Sequence, residues 1–296
     1  MKKIITHNGK FHSDDVFAVA TISIFFGADS IEIIRTRDEK VIEQGDIIAD
    51  VGGKYDGERF FDHHQKGGAG IRENGIPYAS FGLVWKRFGE QICNSKSVFN
   101  FIDSNLVQFI DAGDSGLGEA KPFFKEVVPF SVVDAINILN QERTSKDEDD
   151  LIVFEDAVSF AGRILRDLIR YATKFFEDKK TVIEIYEKTE DKRLLVFEDN
   201  YDWQEVLGDY KEVLYVVEPD DKKLPNHNWR LSCVRAQKNS FINRKDLPKE
   251  WAGLRDEDLA KASGVSDAVF CHNMLFMAIA KSKDGILKMA EKALLR

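Results

Sequence analysis

The sequence predicts an α/β protein: a first domain over residues 1–150 built on a mostly parallel sheet, a linker helix over 151–180, and a smaller α+β domain over 181–296. Three observations carry this. Short apolar runs alternate with loops and one helical stretch through the first quarter of the chain. A long stretch from Leu151 to Phe176 keeps its apolar residues at helical spacing. Beyond it, strand-like runs dominate.

Lys2 to Thr6 reads as a strand, and Ser13 is the expected N-cap of a helix running from Asp14 to Phe26, with Val16, Ala20 and Ile24 on one face. Ile31 to Thr36 and Asp46 to Val51 read as further strands, the second broken by Gly52-Gly53. Helices are expected over Tyr78 to Phe88, Val98 to Ala112 and Val132 to Asn140, and the polar run Thr144 to Asp150 is expected as a solvated loop. Phe154, Val158, Ala161, Leu165, Leu168, Ala172 and Phe175 form the apolar stripe of the linker helix. Strands are expected over Val182 to Tyr186, Leu194 to Phe197, Val213 to Val217 and Trp229 to Val234, and a last helix over Gly285 to Leu294.

At 296 residues the chain is long enough for two cores, and its 22 Phe and four Trp argue against disorder. No apolar run is long enough to span a membrane and none near the N-terminus makes a signal-peptide core, so no membrane partner and a cytoplasmic location are expected. Cys93, Cys233 and Cys271 are too scattered for a zinc clip or a disulfide framework, and are expected reduced and packed. A net charge of −9 disfavours bulk attraction to nucleic acid, but not capture of a nucleotide or strand end at a metal centre. Oligomeric state is not legible, and a homodimer is compatible with the chain.

The most informative stretch is Phe61-Asp62-His63-His64-Gln65. Asp and neutral His are the usual oxygen and nitrogen ligands of divalent ions. Four of the six histidines, His7, His12, His63 and His64, fall in the first quarter, interleaved with Asp14, Asp15, Asp50 and Asp62. His7, Asp50 and the Asp62–His64 triplet each follow an expected strand, and the carboxyl ends of strands are where open α/β sheets place ligands. With an Asp near 111 the donors exceed the roughly four that one structural zinc takes. That count suits two divalent ions, and the carboxylate share favours Mn²⁺, with Mg²⁺ as the alternative, over a tetrahedral zinc site; two such ions suit phosphoester hydrolysis.

These residues resemble the ordered motifs of the DHH phosphoesterase superfamily: His7 to Asp15 (HNGKFHSDD), Asp50, Asp62-His63-His64 and Asp111 to Asp114 (DAGD). Within it the chain resembles the MYG1 family over nearly its whole length, through Thr6 to Asp15, Phe61 to Gln65, Phe81 to Gly89 (FGLVWKRFG) and Leu247 to Asp256 (LPKEWAGLRD). The resemblance implies a DHH-like catalytic domain followed by a substrate-binding domain. It also implies a metal-dependent 3′-to-5′ exonuclease acting on RNA or short oligonucleotides. Carried over by position, it implies His7, His12 and Asp50 on one ion, with Asp14, Asp50, His63 and Asp111 on the other. His12 stands where most of the superfamily has Asp, one residue further along.

Several roles stay open between alternatives. Asp15 either ligates, orients a ligand or caps the helix, and either Asp111 or Asp114 reaches the metal while the other serves a turn. Asp62 is expected to accept a hydrogen bond from a ligating His, leaving His64 as phosphate contact, general acid or ligand. Lys66, beside glycines 67, 68 and 70, and Arg235, Arg244, Arg255 and His272 are the substrate-binding candidates. The segment His272 to Ala280 lacks the glycines that DHH proteins carry near this point. Two other readings use the same hardware: a pyrophosphatase-like hydrolase of a small phosphoanhydride, and a non-catalytic nucleotide-binding protein.

Overall fold

A computed structural model describes residues 1–117, 127, 129–142, 147–237 and 240–296. The chain divides into two compact units, Met1–Thr173 and Lys174–Arg296. In the first, β1 (Lys2–Thr6), α1 (Ser13–Phe26), β2 (Ile31–Arg35), α2 (Glu39–Ile42), β3 (Ile47–Ala49) and β4 (Phe60–Phe61) come first. They are followed by α3 (Ser80–Cys93), α4 (Lys96–Ile102), a π-turn segment Asp103–Val107, α5 (Gln108–Asp114) and α6 (Val132–Leu139). The sheet has the order β2-β1-β3-β4 and every pairing is parallel. All carboxyl ends therefore lie along one edge, which is the geometry that lets sequence-distant side chains meet.

Helix α1 is buried almost all round: Val16, Phe17, Ala18, Val19 and Ile22 are fully buried, and Phe17 packs on Phe81 of α3 with ring centroids 5.2 Å apart. A helix apolar on every side belongs in a core, and this placement carries the acidic first turn of α1 out of water. Its N-cap is His12 rather than Ser13. The His12 backbone N–H donates to Asp15 Oδ1 at 2.9 Å, so the carboxylate closes the cap that a serine hydroxyl was expected to make.

Helix α7 (Asp147–Lys188) runs on through the division between the units. Its range corrects two expectations. Val182 to Tyr186, expected as one of the strand-like runs, is helical. Val182 is buried in a cluster with Leu195 and Phe197, and helical packing overrides the local strand preference. Of the expected loop Thr144 to Asp150, residues Thr144, Ser145 and Lys146 lie outside the described residues, and 147–150 open α7.

The second unit contains β5 (Leu194–Val196), α8 (Gln204–Leu207), β6 (Tyr215–Pro219), β7 (Trp229–Cys233), α9 (Asp256–Ser263), β8 (Ala268–Cys271), β9 (Met277–Ala280) and α10 (Lys283–Leu295). Its sheet has the order β5-β6-β7-β9-β8, parallel only between β5 and β6. Leu231, Trp251, Leu259, Ile286 and Met289 are among the residues of its core. Cys93, Cys233 and Cys271 are free and buried. Among the described residues no helix is long and apolar enough to cross a membrane.

Candidate metal centre

The site forms where β1, β3 and β4, neighbours in the first sheet, end side by side. His7 follows β1, Asp50 follows β3, and Asp62-His63-His64 follow β4. The loop from His7 into α1 then supplies His12, and the first turn of that helix supplies Asp14 and Asp15. Two side chains absent from the sequence reading clamp this loop. Asn140 brackets Phe11, accepting from its N–H at 3.0 Å and donating to its carbonyl at 2.8 Å, and Arg35 donates to the Gly9 carbonyl at 2.7 Å while also pairing with Asp150.

Asp50 is the centre of the cluster. Its Oδ2 lies 3.3 Å from His7 Nε2 and its Oδ1 3.4 Å from His63 Nε2, so each oxygen serves a different histidine. Ser80 at the start of α3, another residue the sequence reading missed, donates to Asp50 Oδ1 at 2.9 Å. Asp50 itself is held at φ +57°, a left-handed conformation that a non-glycine residue adopts at a cost. His7 Nε2 lies 3.2 Å from Asp15 Oδ2, and His63 Nε2 lies 3.1 Å from Asp114 Oδ2 and 3.7 Å from Asp14 Oδ2. Among the described residues, three sets have donor atoms all within 4.8 Å of one another: His7, His12 and Asp50; His12, Asp14 and Asp114; Asp50, His63 and His64.

The electrostatics are those of a cluster built around positive charge. Asp14 is fully buried, and among the described residues no hydrogen-bond donor reaches either of its carboxylate oxygens. Burial, then the neighbouring Asp50, Asp114, Asp15 and Asp111, push its pKa well above the usual carboxylate range. Burial also raises Asp15 against its bonds to His7. Burial alone would lower His7 and His63, but the carboxylates facing them outweigh it and lift each to about 10. Burial would raise Asp50, yet its contacts with His63 and His7 hold it below the usual range. Protons on the imidazoles thus balance carboxylates that a divalent ion would balance instead. An unpartnered buried carboxylate ringed by imidazole nitrogens and carboxylate oxygens fits hard or borderline divalent ions.

Asp62 pairs with His64 rather than His63: His64 Nδ1 lies 2.7 Å from Asp62 Oδ1, and Gly53 N–H donates to Asp62 Oδ2 at 2.6 Å. His64 is exposed at 62 % of its side chain, and its bond to Asp62 raises its pKa despite partial burial. It lines a cavity of about 320 Å³ with His7, His12, Arg37, Asp50 and Asp62. Arg37 was also missed; the only signal was a basic residue just beyond an expected strand end. Asp111 is fully buried but paired elsewhere, with Arg72 Nη1 at 2.7 Å and the Gly82 N–H at 3.0 Å.

The remaining substrate-binding candidates are divided between the two units. Lys66 is exposed in the loop after β4. In the second unit, Arg235 lies over Phe241 at 5.1 Å and lines a cavity of about 960 Å³ with Trp203, Arg230, Asn243 and Phe276. Arg244 is spent on backbone carbonyls, donating to Leu207 at 2.9 Å, Gly208 at 3.0 Å and Val213 at 2.9 Å. Arg255 stacks on Phe270 at 4.4 Å, and the His272 ring lies 4.2 Å from that of Phe276.

Comparison with known proteins agrees with the motifs. The family model MYG1_exonuc, described as "Uncharacterised protein family (UPF0160)", matches residues 3–294. The MYG1 protein C694.04c of Schizosaccharomyces pombe is 30% identical over 320 residues, covering 99% of this chain and 97% of that protein. The MYG1 protein YER156C of Saccharomyces cerevisiae is 29% identical, over 99% and 96% of the two chains. The human protein named MYG1 exonuclease is 27% identical, over 99% of this chain and 85% of its own. With the family model and these relatives spanning both units, the chain belongs to the MYG1 family.

Proposed function

We propose that this protein is a metal-dependent phosphodiester hydrolase that removes nucleotides from the 3′ end of RNA or short oligonucleotides. The observation that carries the reading is Asp14, a fully buried carboxylate without a donor, set among His63, Asp50 and Asp114. The name of the human and rat relatives, MYG1 exonuclease, supports the choice of substrate. His7, His12 and Asp50 would hold one divalent ion, and Asp14, Asp50, His63 and Asp114 the other, with Mn²⁺ preferred to Mg²⁺ for the histidine share. When bound, such ions supply an activated water and neutralise charge developing on phosphoryl oxygens.

The chain's own groups do the rest. Asp62 fixes the tautomer and direction of His64, whose free Nε2 is placed to give a proton to the departing oxygen. Arg37 offers a planar fork to a non-bridging phosphate oxygen from the cavity wall. Arg235, with the rings of Phe241 and Phe276, is the second unit's candidate for holding a base or its phosphate. Arg37 is the one Lys or Arg among the residues lining the first cavity, which favours a phosphodiester over pyrophosphate, whose several charges call for more cations. Release of nucleoside monophosphates from a 5′-labelled RNA in Mn²⁺ tests the reading. Turnover is expected to vanish in His63→Ala and Asp50→Ala, and unchanged turnover in both would overturn it.

A further inference from the structure

Two buried aspartates of the first unit differ in one respect. Among the described residues neither oxygen of Asp14 accepts a hydrogen bond, whereas Asp111 accepts one from the Gly82 N–H on Oδ1 at 3.0 Å and forms an ion pair through Oδ2, 2.7 Å from Arg72 Nη1. The guanidinium and the helix N-terminal amide offset part of the cost of burying this carboxylate. The packing at this point is exacting. A Cβ on Gly82 would fall 1.9 Å from Asp111 Oδ2 and 2.7 Å from Arg72 Nη2, so the approach requires glycine.

Arg72 belongs to the stretch that follows His63 and His64. It is 7 % exposed, lies over the Tyr78 ring at 4.0 Å, and reaches Asp103 Oδ1 at 3.4 Å. Asp103 Oδ2 accepts from Gln108 at 2.6 Å, and Gln108 accepts from Asn74 at 2.7 Å, giving a second tie between the same loop and the start of α5. Asp111 and Asp114 are three apart on α5, so they lie on neighbouring positions of one helix face. The phase of α5, set by the wide turn Asp103–Val107 before it, decides where Asp114 points.

We propose that the Arg72–Asp111 pair is a positioning latch: it joins the loop after the His63-His64 motif to the start of α3 and to α5, and so holds Asp114 against His63. Asp111 then supports a metal ligand without being one. The inference rests on the reading that the cluster binds divalent ions.

The test is Mn²⁺ binding by calorimetry on the full chain, with the fold checked by circular dichroism. Asp114→Asn is expected to bind one ion where the wild type binds two. Asp111→Asn and Arg72→Met are expected to keep two ions while the weaker affinity falls about tenfold, and the double variant is expected to be no worse than either alone, because the pair acts as a unit. Arg72→Lys should recover part of the loss. A single bound ion in Asp111→Asn would make Asp111 a ligand and overturn the proposal, as would wild-type affinities in both Asp111→Asn and Arg72→Met. Should Asp111→Asn fail to fold, Arg72→Met and Arg72→Lys decide by the same measurement. A wild type that binds no Mn²⁺ would instead sink the metal reading. The latch would then be read by proteolysis of the 65–77 loop, which should be faster in Arg72→Met, and equal rates would overturn it.

Discussion

Replacing Asp14 by Asn is expected to stabilise the metal-free protein while abolishing tight binding of one ion. Asp14 is fully buried and unpartnered, with Asp50, Asp114 and Asp15 adding like charge. Leaving such a group unsatisfied costs about 2 kcal/mol. An amide removes the charge, keeps the volume, and provides N–H donors to the neighbouring carboxylates. At about 2–4 °C per kcal/mol for a domain of this size, the melting midpoint in chelator should rise by about 4–8 °C. The sign with pH follows from the direction of the shift. A carboxyl raised in the folded state destabilises above its unfolded value, so the advantage of Asp14→Asn should be small near pH 4 and grow towards pH 7. Differential scanning calorimetry in EDTA and in Mn²⁺ provides the assay. Wild type should gain stability from Mn²⁺ and the variant much less. A variant that melts below wild type in EDTA at pH 7 would refute the argument that Asp14 is stored strain relieved by a cation.

Two further outcomes follow from the same cluster. His7 and His63 are each lifted to about 10 from an ordinary 6.5, so metal-free protein holds a stabilisation below pH 6.5 that is lost as pH rises through about 10. Because ligation requires neutral imidazole, Mn²⁺ binding at pH 7 should release about two protons from these residues and tighten with rising pH; calorimetry in buffers of different ionisation enthalpy measures this, and zero release would contradict it. His64→Gln should lower kcat by about 10²–10⁴-fold with two ions still bound and remove the high-pH decline in rate; loss of an ion would make His64 a ligand instead of a proton donor.

Much of the first unit was legible because each signal was local. Short apolar runs ended in His, Asp or Gly, and a parallel sheet turns such runs into adjacent strand ends, as β1, β3 and β4 show. The cap of α1 was misread by one residue because Asp15 reaches back to the His12 N–H, a bond that competes with the serine cap. The expected strand over Val182 to Tyr186 is helical because a short run rich in β-branched residues cannot reveal that Val182 packs inward from a helix. Asn140, Ser80 and Arg72 carried no signal, since a single polar residue far along the chain announces no partner, and Arg37 carried only its place just beyond a strand end.

What the sequence determined alone was the chemistry: imidazoles and carboxylates in number and order suited to divalent ions, at the ends of apolar segments. What only the tertiary structure decided was the division of labour among equals. Asp14 and Asp111 are the same side chain, both buried in the same unit, yet one has no donor and the other is held by Arg72 and Gly82. Asp62 likewise serves His64 and not His63. The reason is physical: a carboxylate's role is set by which donors stand within about 3 Å, and that distance is fixed by how strands and helices pack.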